Sequence, residues 1–241
     1  MGIWRTLGEG LMGALYPEDL YCMACGDIGD FKNSWGLCPK CLSSLLSEEN
    51  LRGTLMKETI GHSYSRVLAC TVYGDVSKEI IGKFKNKSQP WLGKYLGDLM
   101  AQRYLEEERT VGPLLADVVT YVPIHSDKQK VRGYDQAQLL AEQMGQSLGF
   151  PCVSCLERVR QTAAMKNMSQ EQRRQNVEGA FRWNGNETVQ GKHVILVDDV
   201  ITTGSTAEAC AFILRNQGAR EVTVVAFAAA AHQSAKGKAQ N

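Results

Sequence analysis

The stretch Val194-Ile-Leu-Val-Asp-Asp-Val-Ile-Thr-Thr-Gly-Ser-Thr206 decides how the whole chain is read. Its first four residues are apolar and mostly β-branched, the pattern of a strand buried on both faces of a parallel sheet. Asp198 and Asp199 then fall at the carboxyl end of that strand, where open α/β sheets bind their ligands. Consecutive side chains on a strand point to opposite faces, but at a strand end two carboxylates can fork around neighbouring hydroxyls, such as those of a ribose. In the loop that follows, Gly204 lets the backbone approach an anion, and Thr203, Ser205 and Thr206 add hydroxyl donors. A helix expected over about 205–217 points its first N–H groups at the same place. Each part has a plainer alternative, since acids before a helix also cap it and Thr-Thr-Gly-Ser-Thr also makes a turn with an N-cap. A P-loop is excluded, because no Gly-Lys-Ser/Thr follows.

Away from this stretch, strands alternate with helices. Strands are expected at 65–73, 117–124, 194–197 and 221–229, and helices at 76–86, 91–107 and 136–148. The last of these helices carries Leu139, Leu140, Met144 and Leu148 on one face and is closed by Gly149. Such alternation predicts an α/β fold with a doubly wound parallel sheet. With 241 residues, 44% of them apolar, the chain has room for one domain of ordinary size plus a small module. The expected organisation is an N-terminal helix and cysteine module over 1–60, the α/β domain over 61–233, and a disordered tail over 234–241. The helix is suggested by Ile3, Trp4, Leu7, Leu11 and Leu15; the first six residues also fit a myristoylation pattern. No apolar run approaches 18 residues, so a cytoplasmic protein without membrane insertion is expected.

Cys22-x-x-Cys25 and Cys38-x-x-Cys41 are two knuckles with 12 residues between them. Each can offer two thiolates to a tetrahedral Zn²⁺, and the closed four-cysteine shell would make that zinc structural. Cys152-x-x-Cys155 has no second pair nearby and reads as a loop or strand-edge feature, while Cys70 and Cys210 read as core residues. Net charge is +1, which says nothing in favour of wholesale attraction for nucleic acid. Locally, Lys78, Lys83, Lys85, Lys87 and Lys94 face only Glu79. This run is a solvated helix face, a strand-binding surface with Tyr73, Phe84 and Trp91 as stacking platforms, or a hood over the pocket.

Two more segments carry chemistry. The stretch from Val122 to Ala137 starts at a strand end and holds His125, Lys128, Lys130 and Arg132, a set suited to pyrophosphate or to a solvated turn. The highly charged segment from Glu157 to Phe181 has little apolar periodicity and reads as a mobile flap.

An apolar run, two acids, two further residues and Thr-Thr-Gly-x-Thr resembles the phosphoribosyl pyrophosphate (PRPP) motif of type I phosphoribosyltransferases. Essentially the whole chain resembles the ComF-type family, phosphoribosyltransferase-like proteins linked to natural competence and DNA uptake in bacteria. The matching features are the paired CxxC knuckles, Tyr73-Gly-Asp and Lys83-Phe-Lys85, Val122 to His125 with Arg132 to Gln136, Arg158 to Thr162, Arg173 to Phe181, and the Asp198–Thr206 motif. Asp135 stands where the family pattern has Asn, and Met165 where it has Gln.

The resemblance implies a type I phosphoribosyltransferase fold preceded by a small zinc module. Asp198 and Asp199 would hold the ribose hydroxyls. Thr202, Thr203, Gly204, Ser205 and Thr206 would take the 5′-phosphate, Pro123, Ile124 and His125 would line the PRPP site, and Arg132, Arg160 and Arg173 would face the leaving pyrophosphate. Mg²⁺ would arrive with PRPP. Two functions stay open: transfer of phosphoribose to a nitrogen acceptor, or a non-enzymatic PRPP-binding protein that handles single-stranded DNA with the DNA-uptake machinery. A purine-pathway amidotransferase is not expected, for want of a glutaminase portion and an N-terminal Cys nucleophile, although the flap resembles the loop that closes over PRPP in such enzymes.

Overall fold

The computed structural model describes residues 21–31, 33, 35–47, 62–86, 89–161 and 170–230. The expected N-terminal helix and the polar tail lie outside the described residues, as do Lys87 and Met165.

Four strands form one parallel sheet in the order β1–β6–β5–β2, with β1 at Arg66–Val72, β2 at Val118–Tyr121, β5 at His193–Ile201 and β6 at Glu221–Ala229. The central strands are the apolar runs of the sequence, as burial on both faces requires. On one face lie α2 (Asp75–Asn86), α3 (Leu92–Val111) and α5 (Gln136–Leu148), whose Phe84, Leu96, Met100, Leu140 and Met144 pack with Ile195 and Val197. On the other face α7 (Ser205–Asn216) presents Ala207, Cys210, Ala211 and Leu214 to Val194 and Leu196. The sheet is therefore doubly wound.

Close helix approach is built in at Gly97. A Cβ there would sit 2.6 Å from the Cβ of Gln143, so α3 and α5 pack at a distance only glycine permits.

The adjacent strands β5 and β2 send their following helices to opposite faces: β5 leads into α7 and β2, through the short α4 (Ser126–Arg132), into α5. This is the switch point at which doubly wound sheets open a crevice. Both loops singled out in the sequence converge there.

Three expectations change. The strand carrying Asp198 and Asp199 does not stop at Val197 but runs to Ile201, pairing with β6 throughout, because Val200 and Ile201 continue the apolar run. The segment read as a mobile flap has a structured base: β3 (Leu156–Arg158) pairs antiparallel with β4 (Phe181–Trp183), and α6 (Gln170–Val177) lies between them, residues 162–169 lying outside the described set. The lysine-rich helix is not simply a solvated face, since Phe84 is fully buried and cannot be a stacking platform.

Ahead of β1, α1 (Pro39–Leu45) begins inside the second cysteine knuckle, with Cys38 as its N-cap, Pro39 at its first turn and Cys41 within it. Met23, Ala24, Leu37 and Leu45 are buried in the same apolar cluster as Ile80 and Phe84, so the cysteine segment is packed onto α2.

Candidate sugar-phosphate site and cysteine cluster

At the end of β5 the chain turns through Thr202, Thr203 and Gly204 into α7. Gly204 is the N-cap with φ 81°, in the left-handed region, and a Cβ there would lie 2.9 Å from the Tyr64 hydroxyl. Having no side chain, it cannot cap the helix, so the first N–H groups of α7 meet no side-chain acceptor from the cap position. The small open hollow in front of them is lined by Asp198, Val200, Ile201 and the loop from Thr202 to Ala207. Thr203 and Ser205 share a 3.0 Å hydrogen bond at its rim. Backbone donors, hydroxyls and the positive end of a helix dipole together suit a phosphate.

The two aspartates serve different neighbours instead of forking around one. Asp198 borders this hollow and accepts from the Asp199 N–H at 2.8 Å. Asp199 is paired with the Lys85 Nζ of α2 at 2.5 Å. Burial first, then Asp199, push the Asp198 carboxyl up to about 8, a rise that Lys85 partly offsets.

That rise makes a prediction. Between the ordinary aspartate value near 3.8 and about 8, the unfolded chain has released this proton and the folded chain has kept it. Stability therefore falls as pH rises through that window and levels off above it. Asp198→Asn should raise the melting temperature at pH 8 relative to the parent and leave it unchanged near pH 3.5. An equal shift at both pH values would contradict this origin.

The loop after β2 supplies the other wall. The Val122 N–H donates to the Val197 carbonyl at 2.9 Å, which fixes buried Pro123 and half-buried Ile124 beside β5. His125 is the N-cap of α4, accepting from the Asp127 N–H at 3.3 Å. Asp135, the departure from the family pattern, is the N-cap of α5: it accepts from the Gln138 N–H at 3.2 Å and the Ile124 N–H at 2.8 Å. Its two carboxyl oxygens thus hold the two ends of this loop together, one on each N–H, which an amide with a single acceptor oxygen would do less fully. Burial raises its pKa.

Around these acids gather cations from three elements. Lys128 is depressed by burial and then by Arg158, Arg132 and Lys85, so these four positive groups share one neighbourhood. Arg158 of β3 also feels Asp198 and lies over the Phe181 ring, 5.1 Å from its centre. Arg132 donates to the Gln136 side chain at 2.5 Å.

Arg160 points elsewhere, donating to the carbonyls of Asn176 and Glu178 at 3.0 and 2.7 Å, where it closes the end of α6. Arg173 lies on α6, its side chain outside the described residues. Sequence reasoning thus gave Arg158 no site role and placed Lys85 near the site only through the alternative of a hood over the pocket. Arg158 ends β3 and Arg160 lies two residues beyond it with the same charge, and only the structure decides which of them turns toward Asp198.

The lysine-rich stretch is accounted for residue by residue. The Lys83 Nζ donates to the carbonyls of Met23 and Ala24 at 3.2 and 2.5 Å, Lys85 pairs with Asp199, and Lys78 and Lys94 are exposed. The hood reading fits Lys85, whereas Lys83 ties α2 to the cysteine segment; neither is free to bind a nucleic-acid strand.

The four N-terminal cysteines meet in space, with all Sγ atoms within 4.8 Å of one another. The Cys25 and Cys38 sulfurs are 3.8 Å apart, which matches the edge, about 3.8 Å, of a tetrahedron built on Zn–S bonds of about 2.3 Å. Gly26 at φ 81° and the Gly26 N–H bond to the Cys22 carbonyl at 2.9 Å shape the first knuckle. The cluster can hold a zinc ion. Cys152 forms an isolated parallel bridge with Val119 of β2, and burial pushes its thiol up to about 12, so the second CxxC is a strand-edge feature. Burial likewise pushes Cys70 up to about 12 and raises Cys210, as core thiols require.

Residues 132–240 match the phosphoribosyl transferase domain family. Competence protein F of Haemophilus influenzae is 32% identical over 200 residues, 82% of this chain and 86% of that protein. The DNA utilization protein YhgH of Salmonella typhimurium is 30% identical over 189 residues, 78% of this chain and 82% of that one. Among solved structures, the glutamine PRPP amidotransferase from B. subtilis, complexed with ADP and GMP, is similar at 29% identity and a TM-score of 0.38. The similarity covers 59% of this chain and spans about a quarter of the amidotransferase, 27%. No described helix is long and apolar enough to cross a membrane.

Proposed function

Because the chain belongs to the competence protein F family of phosphoribosyltransferase-like proteins, we propose that it binds PRPP at the turn between β5 and α7 and carries out phosphoribosyl transfer. The observation that carries this reading is the hollow before α7, where Asp198 and a glycine-capped helix N-terminus border the same space. The 5′-phosphate sits against the N–H groups and hydroxyls of Thr202 to Thr206. The ribose hydroxyls donate to Asp198 and Asp199, and the pyrophosphate faces Lys128, Arg132 and Arg158.

A nitrogen acceptor then attacks the anomeric carbon, the C1–O bond to pyrophosphate breaks, and the acceptor loses a proton. The residues contribute position and charge: the Asp199 carboxylate faces the positive charge that develops on the sugar, Asp198 adds a hydrogen-bond partner, and the cations stabilise the departing pyrophosphate. Mg²⁺, bound to substrate oxygens, would neutralise part of the pyrophosphate charge. Zinc in the four-cysteine cluster is structural, since its shell is closed.

A second reading is favoured by the relatives' names, competence protein F and DNA utilization protein. In it the protein binds PRPP without turnover while acting in the handling of incoming DNA. Pyrophosphate release, measured with PRPP, Mg²⁺ and ammonia, amines or nucleobases as acceptors, separates the two. Release supports transfer; PRPP binding without release across all acceptors supports the second reading.

Direct single-stranded DNA binding on the α2 region is expected to be weak, because only Lys78 and Lys94 of its described lysines are exposed. Two neutralised phosphates give a log–log salt slope of roughly −1.4. Fluorescence anisotropy showing a much steeper slope that Lys78→Glu/Lys94→Glu abolishes would overturn this expectation.

A further inference from the structure

We propose that Lys85 determines ligand specificity: its ion pair with Asp199 admits ribose phosphates bearing an anionic group at the anomeric carbon and rejects ribose 5-phosphate. The inference deepens the PRPP reading and rests on it.

Lys85 and Asp199 are 2.5 Å apart, and their side chains keep 30% and 12% of their exposure, so neither charge is freely hydrated. A ribose that takes Asp199 for its hydroxyls competes with Lys85 for the carboxylate oxygens and weakens the pair. Removing one member of a buried pair strands the other charge in a poorly solvated site. With PRPP, the pyrophosphate offers Lys85 a new anionic partner in the same step. With ribose 5-phosphate nothing replaces Asp199, and Lys85 is left with Asp198, which burial keeps largely protonated at neutral pH, and with the like charges of Arg132 and Lys128.

Lys85 cannot escape by moving its helix. Next to it Phe84 is fully buried, the Tyr134 hydroxyl donates to the Phe84 carbonyl, and Lys83 donates to the carbonyls of Met23 and Ala24 in the cysteine segment. The cysteine module and the loop after β2 therefore both hold α2 where Lys85 meets β5. A function for the module follows: it fixes the position of a residue in the sugar-phosphate site.

The test titrates the full chain and its Lys85→Met and Lys85→Arg variants with Mg²⁺–PRPP and, separately, with ribose 5-phosphate, by calorimetry alongside melting curves. Lys85→Met should weaken PRPP about tenfold or more and tighten ribose 5-phosphate, opposite signs that a merely structural role would not produce. Lys85→Arg, which can still pair with a carboxylate, should keep the parental preference. Shifts of the same sign for both ligands overturn the proposal. If Lys85→Met does not fold, Lys85→Gln, which keeps a polar side chain but no charge, takes its place and should reduce the preference for PRPP in the same sense; an unchanged preference there overturns the proposal. A parent that binds both ligands equally overturns the role of Lys85 alone, whereas a parent that binds neither overturns the PRPP reading with it.

Discussion

Cys22→Ser/Cys38→Ser should lose its zinc completely, from one ion per chain in the parent to none, and should melt well below the parent. The four sulfurs come from two knuckles and are already within 4.8 Å of one another, so removing one from each knuckle leaves two thiols that cannot close a shell. Structural zinc contributes on the order of 10–16 kcal/mol of apparent binding energy in small modules, which makes this the largest effect expected in the molecule. The loss should spread beyond the module, because Met23, Leu37 and Leu45 share an apolar cluster with α2. Cys152→Ser/Cys155→Ser should keep its full zinc content. Metal analysis by mass spectrometry decides the matter, and undiminished zinc in the first variant would contradict the assignment.

Asp198→Asn/Asp199→Asn should remove PRPP affinity while the chain stays folded. The amides keep the volume of the acids but lose their charge, and a hydrogen bond to a charged acceptor is worth about 1.5–3 kcal/mol. Since burial holds Asp198 protonated up to about 8, only one acceptor is counted in full at neutral pH, which still gives a loss of roughly tenfold or more. Two opposing effects act on the fold. Asp198→Asn relieves a buried carboxyl, and Asp199→Asn takes from Lys85 its partner at 2.5 Å. Circular dichroism should remain that of the parent. Parental PRPP affinity in a folded double variant would dismiss the ribose assignment.

The β5–α7 turn was readable in the sequence because every part of it is local. An apolar run makes a buried strand, glycine makes the left-handed turn, and the helix follows at once; α5 and β6 were readable for the same reason. What was not readable depends on tertiary contact. The Lys85–Asp199 pair joins residues of separate elements, α2 and β5, and nothing near either one announces the other. Phe84 looked available for stacking because its neighbours are lysines, yet it is buried in the core.

The β3–β4 ribbon has three residues on each strand, too few for alternation to register, so it exists only through pairing. Asp135 looked like a charge misplaced beside an anion site, and its capping role emerges only when the Ile124 N–H is seen to reach it. Along the strand that continues to Ile201 the two carboxylates have different partners, the Asp199 N–H for Asp198 and Lys85 for Asp199, while remaining near enough for Asp199 to raise Asp198.

The account turns on whether the hollow before α7 is a PRPP site, and the most direct measurement is calorimetric titration of the unmodified full chain with PRPP in the presence of Mg²⁺. Saturation at one equivalent per chain, absent when Gly204→Val places a branched side chain in the left-handed turn against Tyr64, is the predicted result. No saturable binding to the parent, or equal binding to a folded Gly204→Val chain, would contradict it.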